Sequence, residues 1–212
     1  LSKTGLIAKS QREFSEKFKA KRCFFGVNGA SGLIQSAVIA MANPGEGILM
    51  PRNVHISVIK ICAMQNIIPI FFDLELSQET GHYKPITKIW LENVFKKTRF
   101  TKEKIVGVIL VSPSYHGYAG DLDPLIDLCH QKDLPVLVDE AHGSYFLFCE
   151  SLDLPKSALL SNADLVVHSL HKSLNGLTQT ATLWYKGDLV NEHNLIKSIN
   201  LLQTTSPSSL LL

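Results

Sequence analysis

Asp139 and Lys172 are the side chains of this sequence whose chemistry and placement first ask for explanation. Asp139 opens the segment Asp139-Glu140-Ala141-His142-Gly143, and Lys172 sits inside Ser169-Leu170-His171-Lys172-Ser173, one helix-sized gap further on. Each segment follows an apolar run, 135–138 and 163–167, that reads as a buried parallel strand. The first strand therefore brings a carboxylate, and the second a lysine, to the strand ends where open α/β sheets bind ligands. A lysine able to form a Schiff base and a carboxylate able to hold a pyridinium nitrogen are the protein groups that pyridoxal 5'-phosphate needs. Lysine amines become imine-forming nucleophiles when desolvated or placed beside another cation. Ser169 and His171 are candidate donors to the phosphate.

Plainer readings compete at each position. An apolar strand ending in Asp-Glu-Ala-His also occurs in nucleotide-hydrolysing helicases, but that machinery needs an upstream G-x-x-x-x-G-K-[ST] loop, and none stands here. Asp139 could instead cap a turn, and Lys172 could be a surface cation. Asn28-Gly29-Ala30-Ser31-Gly32 ahead of a helix is a generic anion cradle, since glycines let the backbone approach and the helix N-terminus aims N–H groups outward. The same residues also make an ordinary turn and cap. His55, after Pro51-Arg52-Asn53, is either a helix-capping histidine or an aromatic ring stacked on a cofactor. His168-x-x-His171 lacks a third ligand at matching spacing, so no metal is expected.

Positioning these groups requires alternating strands and helices, the signature of a mostly parallel central sheet with helices on both faces. Helices are expected over 6–21, up to 41 from the Gly-rich turn, 55–65, 89–97, 123–131 and 188–203. Strands are expected over 23–27, 47–50, 67–72, 105–111 and 181–185, besides the two that carry Asp139 and Lys172. Residues 73–86 and 112–117 read as loops, and the apolar patch Tyr145-Phe146-Leu147-Phe148 as a covering loop or short helix.

Bulk composition narrows the classes. With 212 residues, 45 % hydrophobic, the chain can bury a full core as one domain. A net charge of +2 from 21 basic and 19 acidic residues gives no case for nucleic acid or an anionic membrane. No apolar run reaches the roughly 18 residues of a membrane span. Cys23, Cys62, Cys129 and Cys149 are widely spaced, without a zinc or disulfide pattern. A cytoplasmic enzyme is the expectation. The chain begins at Leu1 and closes on Ser206-Pro207-Ser208-Ser209-Leu210-Leu211-Leu212. It is expected to be a large cofactor-binding domain over 1–212, without an N-terminal segment and a C-terminal small domain.

Across essentially its whole length the sequence resembles the Orn/Lys/Arg decarboxylases, PLP-dependent enzymes of fold type I with an aspartate-aminotransferase-like major domain. The resemblance is carried by Val27-Asn28-Gly29-Ala30-Ser31-Gly32, Pro51-Arg52-Asn53-Val54-His55, Val111-Ser112-Pro113-Ser114-Tyr115-His116-Gly117, Val138-Asp139-Glu140-Ala141-His142-Gly143, Ser169-Leu170-His171-Lys172-Ser173-Leu174, Leu177-Thr178-Gln179 and Thr205-Ser206-Pro207-Ser208. It implies Lys172 as the Schiff-base lysine, Asp139 at the pyridine nitrogen, Ala141 beneath the ring and His55 above it. It places Ser31, Ser169 and His171 on the phosphate, with Ala30 and Gly32 in the same turn where some relatives carry hydroxyl residues. It further implies decarboxylation of arginine, lysine or ornithine to an amine, as in polyamine biosynthesis, at a site shared across a homodimer. An α-oxoamine synthase-like acyltransferase also ends a strand in Asp-Glu-Ala-His, but its lysine normally follows a serine, whereas His171 precedes Lys172 here. A non-catalytic remnant is the third reading.

Overall fold

A computed structural model describes residues 4–98, 104–148, 152–208 and 210. Seven strands form one sheet: β1 Arg22–Gly26, β2 Gly47–Pro51, β3 Ile68–Phe72, β4 Ile105–Val111, β5 Val136–Asp139, β6 Leu165–Ser169 and β7 Ala181–Tyr185, in the order β1-β7-β6-β5-β4-β2-β3. The five strands from β3 to β6 run parallel, and β7 is antiparallel to both β6 and β1. The sheet is thus mostly parallel, as the alternating pattern predicts. The chain moves outward from β2 to β3 and then returns to place β4 on the other side of β2. That reversal makes a switch point, where the strand ends splay and leave a crevice.

The helices are α1 Leu6–Lys17, α2 Gly29–Met41, α3 Ile56–Gln65, α4 Lys88–Thr98, α5 Asp123–His130, the single turn α6 Leu170–Ser173, and α7 Glu192–Leu202. Residues of α2, α3 and α7 share one apolar cluster with one face of the sheet, whereas α4, α5 and Phe18, the C-cap of α1, contribute to the cluster on the other. Helix α2 is apolar nearly all round because it lies on the sheet between α3 and α7. Its Ser36 is spared an unpaired hydroxyl by bonding the Gly32 carbonyl at 2.9 Å, and the Ser198 hydroxyl of α7 donates to the Ser36 carbonyl at 2.7 Å.

Three elements differ from the sequence pattern by two residues or more, each for a local reason. Helix α1 stops at Lys17 rather than 21 because Lys19 turns left-handed at φ 52°. Strand β6 runs through Ser169, two residues past the apolar run, since His168 and Ser169 pair with Thr182 and Ala181 of β7. Helix α7 begins at Glu192, where Asn191 caps it by accepting the Asn194 N–H at 3.1 Å. The patch 145–148 lies within a short 3₁₀ helix, Ser144–Phe148.

Candidate active site

The crevice at the switch point is a cavity of about 590 Å³, open to solvent on one side. Residues that follow β2, β4, β5 and β6 line it, together with the turn before α2. Of the residues singled out in the sequence, Ala30, Ser31, His55, Asp139, Ala141, Ser169, His171 and Lys172 all face this one cavity. Gly32 does not. A Cβ at Gly32 would lie 3.1 Å from the Gln203 Nε2, so this glycine serves the packing against α7 rather than the cavity wall.

Asp139 ends β5 with its side chain buried and accepts the Ala141 N–H at 3.1 Å. Burial pushes its carboxyl above the usual range. The Ala141 N–H, Lys172, His55 and His142 oppose that shift, in that order. A buried carboxylate of this kind is stabilised by a cationic partner, which a protonated ring nitrogen would be. Ala141, buried on the cleft floor, presents only a methyl group beside it.

Other groups of the cleft lining suit an anion. Ser169 is almost wholly buried, and its hydroxyl oxygen has no hydrogen-bond partner. Buried hydroxyls are normally satisfied, so an orphan that lines a cavity marks a place for a ligand's acceptor. Asn28 precedes α2 without a side-chain cap, leaving the first-turn N–H groups of that helix to an outside acceptor. Gly29 makes the turn possible at φ 71°, and its N–H donates to the Gln179 carbonyl at 2.8 Å. These groups fit a phosphate, and the buried carboxylate fits a pyridinium; the residues present therefore suit pyridoxal phosphate. His171 also lines the cleft, its Nδ1–H donating to the Thr180 carbonyl at 3.2 Å.

His55 meets the capping reading of the sequence and also borders the cleft. Its Nδ1 accepts the Ser57 N–H at 3.2 Å and so caps α3. Lys172 projects from α6, and its Nζ donates to the His142 Nε2 at 3.1 Å. Burial, and then the Lys172 charge, lower the proton affinity of His142.

Sequence reading missed His142, Tyr115 and Gln179 as cleft residues, although each lies in a motif already noted. It also missed a buried network directly behind the site. Glu140 follows Asp139 and points to the other face of the sheet. Its carboxylate accepts the Ser157 hydroxyl at 2.6 Å, the Ala158 N–H at 2.9 Å and the His168 Nε2–H at 2.6 Å. The Trp184 Nε1–H donates to the His168 Nδ1 at 2.9 Å, which fixes the tautomer. His168 is thereby committed to the core, and no group of three metal-ligating side chains occurs among the described residues. Gly143 closes the motif because Pro113, Glu140 and Phe146 crowd it: a Cβ there would meet the Pro113 Cδ at 2.7 Å.

The architecture first defines a class: the fold is that of the fold type I PLP-dependent enzymes. The constitutive lysine decarboxylase of Escherichia coli superposes with a TM-score of 0.83 at 21 % identity, over 97 % of this chain and 30 % of that one. The lysine decarboxylase of Francisella novicida gives 0.80 at 22 %, over 99 % and 30 %. A pyridoxal-5'-phosphate-dependent protein of Escherichia coli gives 0.66 at 14 %, over 92 % and 46 %. Sequence then supplies the family. The family model of the Orn/Lys/Arg decarboxylase major domain matches residues 1–212, and the chain belongs to that family. The arginine decarboxylase of Bacillus subtilis is 38 % identical over 208 residues, covering 98 % of this chain and 41 % of the relative. That of Bacillus cereus is equally identical, covering 98 % and 44 %. The chain therefore spans about two fifths of the length of the curated relatives it matches. No helix among the described residues is long and apolar enough to cross a membrane.

Proposed function

We propose that this chain is the cofactor-binding large domain of a pyridoxal-phosphate-dependent decarboxylase, which converts a basic amino acid to its amine and CO₂. The observation that carries the reading is the convergence of Asp139, Lys172 and the unpartnered Ser169 hydroxyl on one cleft. Bound pyridoxal phosphate supplies an electron sink for the pair left behind when the α-carboxylate departs. The buried Asp139 holds the ring nitrogen protonated, Lys172 provides the amine that tethers the cofactor, and Ala141 with His55 bound the two faces of its ring. Ser31, Ser169, His171 and the N-terminus of α2 grip the phosphate and so set the ring's rotation in the cleft.

Arginine is the first substrate to test, because relatives 38 % identical bear that name; lysine and ornithine come next. Asp139 is the sole carboxylate among the described residues lining the cleft. We therefore assign recognition of the substrate's distal cation to an acid outside this lining, on another part of the protein or on the partner subunit of a homodimer. A cytoplasmic enzyme feeding polyamine synthesis completes the proposal, and the buried free thiols of Cys23, Cys62 and Cys129 suit a reducing compartment.

The test is the near-visible spectrum of the intact protein with pyridoxal phosphate, for wild type and Lys172→Ala. A protonated-imine band confined to wild type, and fixed on Lys172 by borohydride, supports the cofactor assignment. Amine analysis with arginine, lysine and ornithine then identifies the substrate. Absence of the band in the intact protein overturns the reading.

A further inference from the structure

We propose that His142 is the proton-exchange partner of Lys172, taking a proton from the lysine ammonium and leaving the amine free to attack a carbonyl carbon. This deepens the reading of Lys172 as the Schiff-base lysine and rests on it. The geometry is direct. Lys172 Nζ and His142 Nε2 are 3.1 Å apart, a hydrogen bond that already holds the proton on its transfer path. Because an ammonium carries no acceptor, Nζ is the donor and Nε2 must present its lone pair, which puts the ring proton on Nδ1. In the step itself one Nζ–H bond breaks and one Nε2–H bond forms. The electron pair remains on Nζ, and the imidazolium then passes its proton to water at the open side of the cleft.

Two features suit His142 to this exchange. It follows Ala141 directly, so the cleft floor that positions the ring also positions the imidazole. The Tyr115 ring stands edge-on to it, with centroids 5.9 Å apart and planes 85° apart, and restricts its rotation from the loop after β4. The charged and titratable groups facing His142 are Lys172 on α6, Asp139 on β5, His55 at the start of α3 and Tyr115. Burial and the Lys172 charge both disfavour a lasting imidazolium, with Asp139 opposing them. A short-lived proton carrier is what remains.

The experiment uses the intact, cofactor-free protein, so that its outcome is independent of whether pyridoxal phosphate binds. Acetic anhydride in trace amount labels amines in proportion to their free-base reactivity, and mass spectrometry reads Lys172 against the exposed Lys60 in the same sample. In wild type the Lys172 profile should show a break where His142 titrates, in addition to the lysine's own. His142→Asn should remove that break and lower Lys172 labelling at neutral pH by about tenfold or more, with imidazole in the buffer restoring part of it. An unchanged profile in His142→Asn would overturn the proposal. A second measurement stands if that variant does not fold. The His142 ring resonance should titrate at higher pH in Lys172→Ala than in wild type, and an identical titration in both would equally sink the idea.

Discussion

At the scale of single residues, the site holds a carboxylate whose burial works against folding at neutral pH. Asp139 binds a proton more readily in the folded chain than in the unfolded one, because burial penalises its charge. A raised acid works against folding above its unfolded value near pH 4, and the penalty grows as pH rises through the folded value. Asp139→Asn in the cofactor-free protein should therefore raise the melting temperature at pH 7 by about 2–4 °C, while melting below pH 4 stays unchanged. The same substitution should lower amine release by about 100-fold or more, since the ring nitrogen loses its counter-charge. A variant that melts earlier at pH 7 would refute the account of Asp139 as a strained, function-serving group. Ser169→Ala should weaken pyridoxal phosphate binding by about tenfold, measured by quenching of intrinsic fluorescence, because a hydrogen bond to a charged phosphate is lost.

At the scale of elements, adjacent strands are held in register by groups that do not line the cleft. The Glu140 carboxylate joins β5 to His168 on β6 and to the segment at Ser157 and Ala158, and Trp184 of β7 completes the chain of bonds. Glu140→Leu leaves the Ala158 N–H and the His168 imidazole unanswered in the core, and should cost about 3 kcal/mol in urea unfolding. Much at this scale was legible beforehand. The apolar runs before Asp139 and Lys172 are unbroken because both faces of those parallel strands are covered, and that continuity placed the two groups at strand ends. The network was not legible, since Glu140 and His168 lie 28 residues apart and neither motif states what the other touches. The metal pairing of His168 with His171 fails in the sequence for want of a third ligand, but the core role of His168 was not legible there; strand alternation sends it to the face opposite Ser169. The contact between His142 and Lys172 escaped for another reason: it depends on the direction of the turns that follow both strands, which apolar periodicity does not encode. Gly32 was expected in the anion cradle, but helical rotation carries it round to α7.

At the scale of the molecule, the sheet divides two apolar clusters that do not share buried side chains. Leu33 on α2 and Leu125 on α5 are both buried, one in each cluster. Leu33→Ala and Leu125→Ala should each cost about 2–5 kcal/mol, and the double variant should equal their sum to within about 0.5 kcal/mol. A large departure from additivity would mean that the faces communicate through the sheet. The cleft lies at the end of this layered body, where β2 and β4 part, and Ala30, Ile34, Val54 and Ala141 of its lining belong to the cluster that holds Leu33. Tyr115, 82 % exposed, and Ile56, 52 % exposed, stand at its mouth.

Asp139 and Glu140 are neighbours in the chain and strangers in space. They have the same charge and differ by one methylene, yet one faces the cleft and the other the core. Transposing the two letters would produce an isomer of identical mass, composition and isoelectric point. In that isomer the longer acid would intrude on the floor beside Ala141, and the shorter one would fall short of Ser157, Ala158 and His168. Both halves of the protein would fail together through a change that no bulk property of the chain can register.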